Sequence, residues 1–305
     1  MGITYIADIG LGALSLGLLW GIMTIGVFIT YRVLDYADLT VEGSITTGAS
    51  VAASLMVSGV SPVTATAAAM CAGMCAGLVT GLLHTKLKIP GLLSGILSMI
   101  ALYSINIRIM GKATISLLRM KTLFSGTEAR LSATSNPREF AVIAIGLALV
   151  VVVVAALCWF FSTELGCAIR ATGINKNMVR SQGIHTDNMI ILGLVLSNAL
   201  VALSGALIAQ NQRFSDIQMG TGTIVIGLAS VIIGEVLFGT KSFFRHLVSL
   251  VLGAIAYRVI ITIVLELGMQ PTDLKLFTAL TVALALSLPE LKNRLARRRE
   301  RKARC

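Results

Sequence analysis

The chain has 305 residues, 56% of them hydrophobic and only 13% charged, and its mean hydropathy is +0.88. A water-soluble domain of this length needs far more polar surface, so lipid is the solvent for most of it. The net charge of +11 is concentrated at one end. Eight of the 25 basic residues (Lys292, Arg294, Arg297, Arg298, Arg299, Arg301, Lys302 and Arg304) fall within the last 14 positions without an aromatic or Gly-rich reader motif, which argues against nucleic acid as a partner.

In hydrocarbon every backbone polar group needs an internal partner, and the apolar runs lack period-two alternation, so helices are expected. Nine runs are long enough to cross: Ile9–Thr30; Val41–Val57, polar and Gly-broken; Pro62–Leu83; Gly91–Ile109; the charge-free Phe140–Phe161; Met189–Ala209; the Gly-rich Thr221–Phe238; Leu247–Leu267; and Leu274–Leu288. The expected fold is an all-α polytopic membrane protein forming a single transmembrane domain over 1–305. No Lys or Arg precedes the first run, so it is read as a true span rather than a cleaved signal.

Basic residues set the orientation. With the tail 291–305 cytoplasmic, where it can also meet anionic lipid headgroups, alternation puts Lys86, Lys88, Arg170, Lys176, Arg180, Lys241 and Arg245 inside and the N-terminus outside. The loop 108–139 is exterior by alternation yet holds six basic residues. It is read as a folded exterior element, not as a sign of reversed topology.

Ala37-Asp38-Leu39-Thr40-Val41 resembles Ser215-Asp216-Ile217-Gln218-Met219, and the two copies run in opposite directions under this topology. Inverted repeats with broken helices are a common way to build a midplane pathway. The stretches Asp38–Gly48 and Asp216–Gly227 mix Gly with Ser and Thr where a span should start. One reading makes them a solute route lined by Asp38, Glu42, Ser44, Thr47, Gln218, Thr221 and Thr223. The other makes them ordinary turn and N-cap chemistry.

Arg258 falls mid-span, where a charge needs a partner or water. Glu235, late in the preceding span, is the natural candidate for an ion pair, with contact to solute or a gate as the alternative. Ala69, Gly73, Gly77 and Gly81 form a small-residue stripe suited to close helix approach. The five cysteines and three histidines show no zinc spacing. There is no GxxxxGK[ST] motif and no nucleophile–base grouping, so the chain is expected to be neither an enzyme nor a cofactor or metal binder.

The segment 162–188 is a polar, Gly-punctuated insertion between two apolar runs. Its Gly166-Cys-Ala-Ile-Arg170-Ala171-Thr-Gly173-Ile-Asn175, followed by Gly183-Ile184, resembles the coupling segment of ABC importer permeases of the branched-chain amino acid and sugar type. Asp38-Leu-Thr-Val-Glu42-Gly43, Gly227-Leu-Ala-Ser-Val-Ile-Ile-Gly-Glu235, Tyr257-Arg258 and Asp273-Leu-Lys275 extend the resemblance over nearly the whole chain. The nearest subgroup is the single-permease systems linked to aromatic amino acid uptake.

The resemblance implies a cytoplasmic coupling helix in which Glu164, Gly166, Arg170, Gly173, Asn175 and Gly183 meet an ATP-binding cassette subunit. ATP and Mg would be bound on that partner, not on this chain. It further implies a bacterial inner-membrane location, pairing with a second copy of the chain, and an extracytoplasmic substrate-binding protein. Larger relatives carry an additional N-terminal span, whose loss agrees with an exterior N-terminus. Arg108, Lys112, Arg119 and Lys121 are the candidates for docking the binding protein. Two other classes compete with this reading: an ion-coupled secondary transporter and a membrane scaffold.

Overall fold

The structure, a computed structural model, describes residues 2–131, 136–240 and 242–266, with 273, 276, 278–280 and 283 beyond them. The chain folds into the expected all-α polytopic bundle. Its helices are α1 (Gly2–Phe28), closed by a π turn at Ile29–Val33, then α2 (Thr40–Val57), α3 (Pro62–Thr85) and α4 (Gly91–Met110). A strand β1 (Thr114–Ser116) and the short α5 (Ser125–Arg130) precede α6 (Pro137–Ser162), α7 (Glu164–Ile174) and α8 (Lys176–Ser181). The rest is α9 (Thr186–Gln212), β2 (Phe214–Asp216), α10 (Thr223–Phe238) and α11 (Phe243–Glu266).

Among the described residues six helices are long and apolar enough to cross a membrane: Asp8–Val33, Pro62–Thr85, Gly91–Met110, Pro137–Ser162, Thr186–Gln212 and Phe243–Glu266. Two further expected spans form the shorter α2 and α10, of 18 and 16 residues. The ninth, 274–288, lies almost wholly outside the described residues, as do Lys241 and the tail 291–305.

α9 is the central post, packed by α1, α2 and α3. The expected small-residue stripe of α3 faces it. A Cβ on Gly73 would overlap the Asn198 carbonyl, and one on Gly77 the Leu194 carbonyl. Gly48 of α2 meets the Ala202 carbonyl, and Gly205 of α9 meets the Ile45 carbonyl. Backbones this close leave no room for side chains, the usual route to tight association where lipid gives no hydrophobic drive.

The described residues of the segment 108–139 include β1 and α5 and pack against the bundle. β1 pairs antiparallel with β2, Ile115 opposite Ser215. Leu117 and Phe124 are buried. The Leu123 amide donates to Gln210 Oε1 at 3.0 Å, and Arg213 pairs with Glu128 at 3.0 Å. The end of the bundle where β1 meets β2 also holds Asp8, bonded to Asn136, and Arg138, bonded to the Asn211 carbonyl.

The chain is unwound ahead of α2 and α10, at 34–39 and 217–222, and not within them. The interruptions thus fall inside the stretches 38–48 and 216–227, at 38–39 and 217–222, and the helices are continuous from Thr40 and Thr223. Asp38 Oδ1 accepts from the Thr40 amide at 2.9 Å, and Asp216 Oδ1 from the Gln218 amide at 2.8 Å. Both are Asx turns, in which a short carboxylate side chain mimics a backbone turn.

Candidate functional site

At the end opposite the β1–β2 pair, the polar insertion folds as two short helices rather than one. The Thr163 hydroxyl accepts the Gly166 amide at the start of α7. Asn175 Oδ1 then accepts the Asn177 and Met178 amides, each at 3.1 Å, to start α8. Gly183, at φ +83°, supplies the left-handed turn into α9.

Ile169 and Thr172 bury one face of α7. Gly166 and Gly173 also face inward: a Cβ on the first would overlap the preceding Phe160–Phe161 backbone, and one on the second the Val33 carbonyl at the end of α1. Their contribution here is close seating of α7 on the bundle. Arg170 lies over the Phe243 ring, its Cζ 5.3 Å from the centroid. Glu164, Asn175 and Gly183 are exposed. So are Leu165, Met178 and above all Ile174, at 88%. These three apolar residues were not singled out from sequence, although apolar positions inside a polar insertion were the available signal.

Lys86, Lys88 and Arg180 gather at this same end, where Asp187 accepts from Lys88 at 3.4 Å and Arg180 at 3.1 Å. The ion pair expected between Glu235 and Arg258 is not formed. Glu235 is held by Arg32 at 3.0 and 2.7 Å and by His246 at 3.0 Å. Glu235 sits beside the start of α11, and Arg258 is 12 residues beyond His246, about 18 Å along the axis at 1.5 Å per residue. Arg258 stacks on Trp20 instead, Cζ 4.0 Å from the ring centroid. Arg32 ends the first span at the depth where Glu235 ends the seventh, so counting depth from one face is the signal that finds this pair.

The candidate pathway residues separate into two groups. Asp38 is buried, and its Oδ2 accepts from Asn198 Nδ2 at 2.8 Å while Asn198 Oδ1 accepts from Ser44 at 2.6 Å. Thr47 bonds the Gly43 carbonyl of its own helix, and Thr223 the Gly220 carbonyl. These four fasten helices to one another or to their own turns. Gln218, in neither group, is exposed beside the β1–β2 pair.

Glu42 and Thr221 do line a cavity of about 330 Å³ between α2, α4 and the 217–222 turn, together with Thr46, Tyr103 and Asn106. Glu42 Oε1 accepts the Gly222 amide at 2.9 Å, placing a carboxylate at the positive N-terminus of α10. Tyr103 and Asn106 escaped the sequence reading, although their i, i+3 spacing puts both on one face of α4. Arg108, Lys112, Arg119 and Lys121 are all exposed, and none forms an ion pair among the described residues.

Comparison with known proteins decides what this bundle is. Residues 9–286 match the family model described as "Branched-chain amino acid transport system / permease component". The chain belongs to this permease family. The permease is 43% identical over 281 residues to a protein described as a tyrosine transport system permease from Clostridioides difficile (strain R20291), covering 92% of this chain and 91% of that one. It is 32% identical over 269 residues to an uncharacterised protein of Rickettsia prowazekii (strain Madrid E), covering 87% and 92%. A shorter match, 32% over 112 residues, links it to an autoinducer 2 import system permease of Escherichia coli O9:H4 (strain HS), covering 36% and 32%. No solved structure matches.

The permease is thus the multi-pass membrane subunit of an ABC-type transport system, in a family of permeases rather than enzymes. Such systems comprise an ATPase and a binding protein in general.

Proposed function

We propose that the permease carries an amino acid inward, aromatic in kind, as a pair of identical chains fed by an extracytoplasmic binding protein and driven by a cassette subunit that holds ATP and Mg. The α7–α8 end then faces the cytoplasm and the end with the β1–β2 pair lies outside, together with the N-terminus. The observation that carries the coupling half of this reading is the α7–α8 unit. It is seated on the end of α1 through Gly173 and presents Leu165, Ile174 and Met178 outward. Exposed apolar residues on a short helix locked to the bundle suit rigid-body transmission from a soluble partner. The aromatic solute rests on the tyrosine permease relative.

In this arrangement Arg108, Lys112, Arg119 and Lys121 offer a basic surface to the binding protein, the tail 291–305 meets anionic lipid, and the paired Asx turns mark two inverted repeats within one domain. The test is a mild-detergent pull-down of tagged protein, assayed for ATPase activity and tyrosine uptake. Ile174→Asp is expected to lose the cassette subunit while membrane insertion is kept. Retention of that subunit with normal uptake would overturn the coupling assignment.

A further inference from the structure

We infer that the cavity between α2, α4 and the 217–222 turn is a binding site for a primary ammonium group, held by Glu42 and Asn106. The inference rests on the importer reading for its solute, an amino acid passing through, but its chemistry is set by the wall itself. Asn106 is 1% exposed, and its Oδ1 has no hydrogen-bond partner. Its Nδ2 donates to the Gly43 carbonyl at 3.5 Å. A carbonyl accepts only, so the amide must present its nitrogen there and its oxygen elsewhere. A buried acceptor without a donor is costly, and a donor is what this side chain lacks.

Glu42 lies on the same wall. Its carboxylate is engaged by the Gly222 amide, at 2.9 Å to Oε1, and by the Ile224 amide, but a carboxylate has about four lone-pair sites and keeps acceptor capacity. No Lys or Arg is among the lining residues. The site therefore pairs one negative charge with an orphaned neutral acceptor and offers no cation to a carboxylate. Met99, Ile100 and Tyr103 supply an apolar side for the body of the solute. At about 330 Å³ the space lies at the small end of ligand pockets, which run from about 300 to 1,000 Å³. An ammonium has three donors and no acceptor and so complements this wall, whereas the wall itself would repel an anion.

The test uses the full chain with its native cysteines replaced and Thr46→Cys as reporter, with Thr221→Cys as a second reporter should the first fail to fold. Modification by cationic 2-aminoethyl methanethiosulfonate is compared with that by the anionic 2-sulfonatoethyl reagent. The cationic reagent is expected to react about 10-fold faster, and Glu42→Gln to bring the two rates close together. Tyramine should slow the reaction, whereas 3-(4-hydroxyphenyl)propionate, which lacks the ammonium, should not; Asn106→Leu should abolish the tyramine effect. Equal rates, faster anionic modification, no protection by tyramine, or cysteines closed to both reagents would overturn the site. Tyrosine uptake measured with the cassette subunit is a separate readout. Its failure alongside an intact charge preference would sink the importer reading and leave the site standing.

Discussion

The turns before α2 and α10 begin with the same local device and end in different roles. Asp38 and Asp216 each accept a backbone amide two residues on, at 2.9 and 2.8 Å. Asp38 is then buried against α9 through Asn198, whereas Asp216 is only partly buried and takes its second bond from the Thr114 hydroxyl of β1, at 2.6 Å. One turn is a fastener in the core and the other a join between surface strands. Local sequence sets the turn, and tertiary surroundings set what depends on it. Glu42 connects the two, since it follows the first turn and caps the helix after the second.

The comparison breaks most visibly at Asn198. Asn198→Leu leaves the buried Asp38 carboxylate with the Thr40 amide but without its Asn198 donor, and losing a hydrogen bond to a buried charged group costs about 1.5–3 kcal/mol. The variant is expected to lose its monodisperse peak in size-exclusion chromatography at temperatures the parent survives. Glu42→Ala removes the cap that joins the turns, at about 1–2 kcal/mol, seen as a lower midpoint in a thermal assay with a thiol-reactive dye. Asp216→Ala removes its side-chain bonds at a site water can reach, so a loss of about 1 kcal/mol or less is expected by the same assay. Smallest is Glu128→Ala, which breaks a partly exposed pair with Arg213, for about 0–1 kcal/mol that shrinks further in high salt. If Asp216→Ala equalled Asn198→Leu in severity, the contrast between fastener and join would fail.

Much of the bundle was legible because apolar runs and glycine spacing report directly on lipid contact and helix approach. The Ala69–Gly81 stripe led to α9, and the charge-rich loop 108–139 led to a folded element. The polar sites were less legible. Asp38, Ser44 and Thr47 looked like pathway residues, since a polar side chain at membrane depth reads the same whether its partner is solute or another helix. The partner of Glu235 was misassigned to Arg258 by nearness in sequence, whereas depth along the helices favours Arg32. Asn106 drew no notice because its isolation is a fact of three dimensions: only the packed structure shows its nitrogen engaged and its oxygen not.

The buried bond between Asp38 and Asn198 also orders the birth of the protein. The two residues are 160 positions apart, and Ser44 is 154 positions from the same asparagine. At roughly 5–20 residues per second, the ribosome delivers Asn198 on the order of ten to thirty seconds after Asp38. Through that interval the start of α2 is in or beside the bilayer with the Asp38 carboxylate and the Ser44 hydroxyl still lacking their companion on α9. A nascent chain stopped short of Thr186 is expected to be cut by membrane proteases near residues 34–48, while one extended through Gln212 is protected.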